Sequence, residues 1–140
     1  MLLAVACDYA ATLSQPLRLW LPRRPRSHKN HEIYEPGFGN RRANSACLEV
    51  AEYRAGLHRY FTNETIRDRL PAPRDAAFTS LAFNIGIAGA GKSTATRRLN
   101  ADDIPGACDA LTWFNKAGGR AVRGLVVRRA EERALCLKKA

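Results

Sequence analysis

Residues 86–93 read Gly86-Ile87-Ala88-Gly89-Ala90-Gly91-Lys92-Ser93, a full match to the pattern G-x-x-x-x-G-K-[ST]. Such a string can be a loop in which backbone N–H groups converge on phosphates, the lysine reaches the outer phosphates and the hydroxyl holds magnesium. That use commits the chain to a parallel sheet, with Leu81-Ala82-Phe83-Asn84-Ile85 as the strand feeding the loop. The surrounding residues argue against it. Only 47 residues follow Ser93, and none of their apolar runs ends in an Asp that could serve the magnesium ion. The one later run, Gly124-Leu125-Val126-Val127, ends in Arg128-Arg129, and Asn84 interrupts the supposed strand. The expected partner is therefore not a nucleotide.

The chain has 140 residues, enough for one domain with a single core. Its formal net charge of +10 favours a polyanion: nucleic acid, anionic lipid or an acidic wall polymer. Four cysteines stand at positions 7, 47, 108 and 136. They form no C-x-x-C pair and no Cys/His set at zinc spacing, so neither metal nor cofactor is expected. Cys108 and Cys136 fall on two expected helices of one bundle. They can be bridged outside the cytoplasm or stay as buried thiols, and the sequence leaves both open. The apolar start, Met1 to Cys7, has no basic leader and is too short for a membrane span. Export, if it occurs, needs another route.

The chain changes character near residue 43. Pro16 to Arg42 holds Pro16, Pro22, Pro25, Pro36, Gly37 and Gly39 among seven basic residues, with no apolar period of either kind, and reads as irregular. Beyond it the spacing is helical. Ser45 is expected to cap a helix whose apolar stripe is Leu48, Tyr53, Leu57 and Tyr60-Phe61. After Leu70-Pro71-Ala72-Pro73, the positions Ala77, Phe78, Leu81 and Ala82 predict a buried helix ending at Gly86. Ser93-Thr94 opens a short helix through Leu99. Asn100 to Asp103 opens another, running from Ile104 to Phe114, with Trp113 in the core. Ala117-Gly118-Gly119 is a turn, and Val122 to Lys138 is a last amphipathic helix. The division expected is 1–44 and 45–140.

Residues 74–137 resemble the phage-type lysozymes, the endolysins that cut peptidoglycan. The segments that carry the resemblance are Phe83-Asn84-Ile85-Gly86, Ser93-Thr94 with Arg97-Arg98-Leu99-Asn100, Gly106-Ala107-Cys108-Asp109, Trp113, Ala117-Gly118-Gly119, Gly124-Leu125-Val126 and Arg128-Arg129-Ala130-Glu131, in family order and spacing. Residues 45–73 fit more loosely, with Cys47 where many members place a cysteine. The resemblance implies a mainly α, lysozyme-like helical lobe, in which residues 86–93 are a glycine-rich turn between two helices and Lys92 is incidental. It implies hydrolysis of the β-1,4 bond between N-acetylmuramic acid and N-acetylglucosamine. It also implies peptidoglycan as partner, a monomer, and synthesis in the host bacterial cytoplasm with action in the periplasm or wall.

The departure lies upstream. The family pattern Glu-Gly-Leu-Arg-Leu, then Tyr-x-Asp, then Thr-x-x-Tyr-Gly-His, supplies two carboxylates that straddle the scissile bond, one with a raised pKa, and a Thr that orients water. Here the nearest match is Gln15-Pro16-Leu17-Arg18-Leu19, with Arg24 in place of the Asp and Asn30 in place of the Thr. An amide cannot donate the required proton, and Glu32 and Glu35 are out of register. Leu21-Pro22-Arg23, read one base later, can encode Tyr-Arg-Asp. Part of residues 5–42 is therefore expected to be translated out of frame, with residues 1–44 standing where the catalytic β lobe belongs.

No catalytic residue is assigned. By the resemblance, Asn84 lines the substrate cleft, and Arg120 and Arg123 fall where relatives hold basic residues near the catalytic carboxylates. Arg128 and Arg129 resemble the family's paired arginines, one of them in a buried structural ion pair. Trp20 is given no role, and His28, His31 and His58 are expected to be solvated. The competing class is a non-catalytic basic module that binds peptidoglycan or nucleic acid.

Overall fold

The computed structural model describes residues 39–139, with side chains from residue 48 onward. The expectations on Gln15, Trp20, Arg24, His28, Asn30, His31, Glu32 and Glu35 lie outside the described residues, as does the side chain of Cys47. The described chain is almost wholly helical: α1 Gly39–His58, a π-helical turn Thr65–Arg69, α2 Ala72–Ile85, α3 Ile87–Gly91, α4 Thr94–Asn100, α5 Ile104–Leu111, and α6 Arg123–Leu137. A hairpin of Lys116–Ala117 (β1) against Arg120–Ala121 (β2) joins α5 to α6.

Helix α2 is the axis of the lobe. Pro71 and Pro73 flank its start, where a missing N–H costs nothing. Ala77, Phe78, Leu81 and Ala82 are all fully buried, as their spacing predicts. Around them pack Leu57 and Phe61 from the α1 side, Leu99 from α4, Leu111 from α5 and Cys136 from α6. Phe61 meets Phe78 edge to face at 5.7 Å, and Tyr53 meets Phe83 at 4.9 Å. The helix stops at Gly86, whose φ of 89° ends the α path while its N–H still bonds Ala82 at 2.8 Å.

Residues 81–85 are thus the last turn of a helix, not a strand. Each distinctive residue of 86–93 has a structural use. Gly91 is buried where a Cβ would overlap the Tyr60 ring, so its bare backbone lets α1 and α3 meet. Ser93 is the N-cap of α4, its hydroxyl accepting from Thr96 N at 3.3 Å. Lys92 is exposed.

Three expectations need correction. Helix α1 begins at Gly39, so Ser45 lies inside it and is not its cap. In the same helix Leu48 is 52% exposed and Val50 takes the buried position, because Val50, Tyr53 and Leu57 share the face turned to α2. Helix α5 ends at Leu111, short of Phe114. Thr112 closes it by donating its hydroxyl to Asp109 O at 2.7 Å, and Trp113 N bonds Ala110 O at 3.3 Å in a tighter turn. That turn swings Trp113 out to 55% exposure and puts Phe114 against the core instead.

Asp103 caps α5, accepting from Gly106 N at 3.0 Å. In the hairpin, Gly118 and Gly119 have φ of 58° and 78°, the pair of positive values that a two-residue type I′ turn requires. Cys108 and Cys136 are joined, Cα to Cα 5.6 Å, closing the alternative the sequence left open and tying α5 to α6.

Candidate functional site

Helices α2 and α6 lie antiparallel. Arg74 donates from Nε to Cys136 O at 2.9 Å near one end, and Ser80 donates to Glu132 Oε1 at 2.6 Å one and a half turns further along α2. Continuing that register brings the last turn of α2 beside the start of α6. The three residues assigned to substrate binding lie on the last turn of α2, in β2 and at the first position of α6. Asn84 sits half-buried on the last turn of α2, and its amide makes no side-chain hydrogen bond among the described residues. It does not serve to satisfy its own helix end. Arg120, on β2, and Arg123, the first residue of α6, are exposed and have no ion-pair partner among the described residues. Residues 112–127 contain no acidic side chain, so this end of the lobe presents a positive field to an incoming anion.

Beneath it lies a buried ionic cluster. Arg129 is wholly buried and pairs with Glu132 Oε2 at 2.5 Å. Arg128 reaches Glu132 Oε1 at 3.3 Å and donates from Nη2 to Ser80 Oγ at 2.9 Å. Both members of the arginine pair are thus structural, beyond the one that the resemblance implied. Arg129 Nε and Nη2 have no acceptor among the described residues. Burial pushes the Glu132 carboxyl above the usual carboxylate range, against the pull of Arg129, Ser80 and Arg128. Burial likewise lowers the Arg129 and Arg74 guanidiniums.

A second polar cluster went unread in the sequence. His58 is not solvated: its Nε2 lies 2.8 Å from Asp75 Oδ1, while Arg54 Nε donates to Asp75 Oδ2 at 2.6 Å. Asp75 is buried at the first turn of α2. The signal was the i, i+4 spacing of Arg54 and His58, which puts both on the α1 face that also carries Leu57. Only the docking of α1 on α2 supplies the carboxylate between them. Trp113 was also misplaced: its ring lies under the Arg98 guanidinium, 5.2 Å from the centroid.

The described residues contain no group of three His, Cys, Asp or Glu side chains placed to hold a metal ion. No described helix is long and apolar enough to cross a membrane.

The Phage lysozyme family matches residues 35–132. The chain belongs to this family. Among curated relatives, the SAR-endolysin of Enterobacteria phage P21 is 40% identical over 75 residues, which is 54% of this chain and 46% of that protein. The chain thus spans about half the length of the curated relatives it matches. Among solved structures, an endolysin from Escherichia coli O157:H7 phage FAHEc1 superposes with a TM-score of 0.58 at 25% identity, covering 78% of this chain and 66% of that one. The active form of P1 phage endolysin Lyz superposes with a TM-score of 0.61 at 22% identity, covering 76% and 65%. The glycine-lysine string thus sits in the α2–α3–α4 succession of this lobe, where Ile87–Gly91 forms a short helix and not the glycine-rich turn that the resemblance implied.

Proposed function

We propose that this chain is the peptidoglycan-engaging helical lobe of a phage-type lysozyme, whose parent activity is hydrolysis of the β-1,4 bond between N-acetylmuramic acid and N-acetylglucosamine during host lysis. The observation that carries the reading is the family match over residues 35–132; Asn84, Arg120 and Arg123 are the side chains assigned to meet the polymer. Asn84 offers both a donor and an acceptor to an N-acetyl group. The two arginines suit the carboxylates of the stem peptides, and a net charge of +10 suits an anionic wall. Relatives named SAR-endolysin from phages support action at the cell wall, and synthesis in the host cytoplasm followed by action in the periplasm or wall suits that role. A monomer with no nucleotide requirement fits this role.

Cleavage by this chain is a separate matter. The general acid must give a proton to the glycosidic oxygen, and Gln15 at the acid's place cannot. Arg24 and Asn30 replace the second carboxylate and the water-orienting hydroxyl. The chain therefore binds the polymer and does not cut it. Co-sedimentation with purified sacculi, run beside a turbidity assay on the same sacculi, tests both halves. Retention without clearing is the expected result; robust clearing would place the acid elsewhere, and failure to sediment would remove the binding role. The coding DNA over residues 5–42 tests the frame-shift account, which fails if neither alternative frame encodes the Glu, Asp and Thr set.

A further inference from the structure

Trp113 is the one aromatic side chain among the described residues that is more than half exposed; every other ring there is buried or half-buried. An indole left 55% exposed forgoes a large apolar burial, and here the core had a neighbour, Phe114, to take instead. The exposed ring is nevertheless held. The Arg98 guanidinium lies over it at 5.2 Å, and Arg98 is itself fixed by Nη1 donating to Gly106 O at 3.2 Å, with Asp103 Oδ2 3.9 Å from its Nε. Two residues further on, Val122 N bonds Asn115 O at 3.0 Å and closes the base of the hairpin, so the backbone that carries the ring is clamped from both sides. The result is a flat aromatic face on a rigid support, bordered by an acid-free segment that holds Lys116, Arg120 and Arg123.

We propose that Trp113, backed by Arg98, is a docking surface for β-linked N-acetylated amino sugars. The axial C–H bonds of a β-linked pyranose form an apolar face that packs flat on an indole, and a guanidinium already in place removes the entropy of ordering the ring. The nearby cations draw in a polymer that carries carboxylates. Single-stranded nucleic acid also stacks on basic, aromatic surfaces, but the family relationship favours the glycan, and in this the inference rests on the proposed function.

The chain has two tryptophans, so Trp20→Phe makes Trp113 the only one. In that protein, titration with a soluble hexamer of β-1,4-linked N-acetylglucosamine should shift the indole emission saturably. In co-sedimentation with sacculi, Trp113→Ala should weaken retention about five- to tenfold, the loss expected for one aromatic stacking contact. Trp113→Phe should recover part of it. If the wild-type chain sediments but Trp113→Ala sediments equally well and the emission does not respond to the sugar, the platform is refuted and the proposed function stands. If the wild-type chain does not sediment at all, the proposed function fails and this surface falls with it. An emission shift caused by a thymidine oligonucleotide and not by the sugar would overturn the glycan assignment.

Discussion

At the scale of residues, the lobe is most exposed to damage where charge is buried. Glu132 pairs with both Arg128 and Arg129, and all three are buried. Removing it takes the counter-charge from the wholly buried Arg129 guanidinium, in a medium that solvates it poorly. Glu132→Ala is expected to cost about 3–5 kcal/mol, read from chemical denaturation. The pH dependence has a definite sign. Because burial raises the Glu132 pKa, the folded chain holds this proton at a pH where the unfolded chain has released it. The contribution is fully present below the ordinary carboxylate range and is lost as pH rises through the raised value. Glu132→Gln should flatten the stability profile across that interval; an unchanged slope would show that Glu132 is not the group responsible. The glycines of 86–93 also differ from one another. A Cβ at Gly91 overlaps the Tyr60 ring, whereas one at Gly89 makes ordinary contact with Ile85. Gly91→Ala should therefore destabilise by about 1–3 kcal/mol. Gly89→Ala should be neutral or stabilising by about 0.5–1 kcal/mol, since it sits within α3. Thermal melts of the two variants separate a packing role from a phosphate-binding one, in which both glycines would matter.

At the scale of elements, the lobe is fixed by polar contacts between elements far apart in sequence and by one covalent staple. Asn100 at the end of α4 accepts from Thr62 N at 3.2 Å and donates to Tyr60 O at 2.9 Å, locking the turn that follows α1. Arg69 donates to Asn100 O at 2.9 Å and pairs with Asp102 at 2.8 Å, holding the π-helical turn against α4. The Cys108–Cys136 bridge joins two helices that are 28 residues apart in sequence. A loop of that size restricts the unfolded chain by roughly 3–4 kcal/mol on the chain-entropy account. Reduction, or Cys108→Ala, should lower the melting temperature by an amount that corresponds to that loss. An equal melt with and without reductant would mean that packing alone holds α5 on α6.

At the scale of the whole molecule, the excess positive charge should make retention on sacculi fall as ionic strength rises. Exposed charges more than about 8 Å apart are largely screened at physiological salt. Retention that is insensitive to salt would assign the binding to apolar contacts. Local spacing made much of this lobe legible. Ala77, Phe78, Leu81 and Ala82 named their own face, Gly86 named the end of its helix, and the paired glycines named the hairpin turn. These are interactions between near neighbours in the chain, and the residue types carry their own backbone preferences. What the sequence could not decide was which elements would meet. The fate of Trp113 depended on where α5 stopped, and α5 stopped a turn early because Thr112 closed it. His58 and Arg54 acquired Asp75 only when α1 docked on α2. Cys108 found Cys136, and Glu132 found Ser80, only through the antiparallel register of α2, α5 and α6. Period and capping are written in consecutive residues, so the sequence alone determined a mainly helical chain and its breaks. Partnership between buried polar groups depends on distances across the fold, and only the tertiary structure sets those.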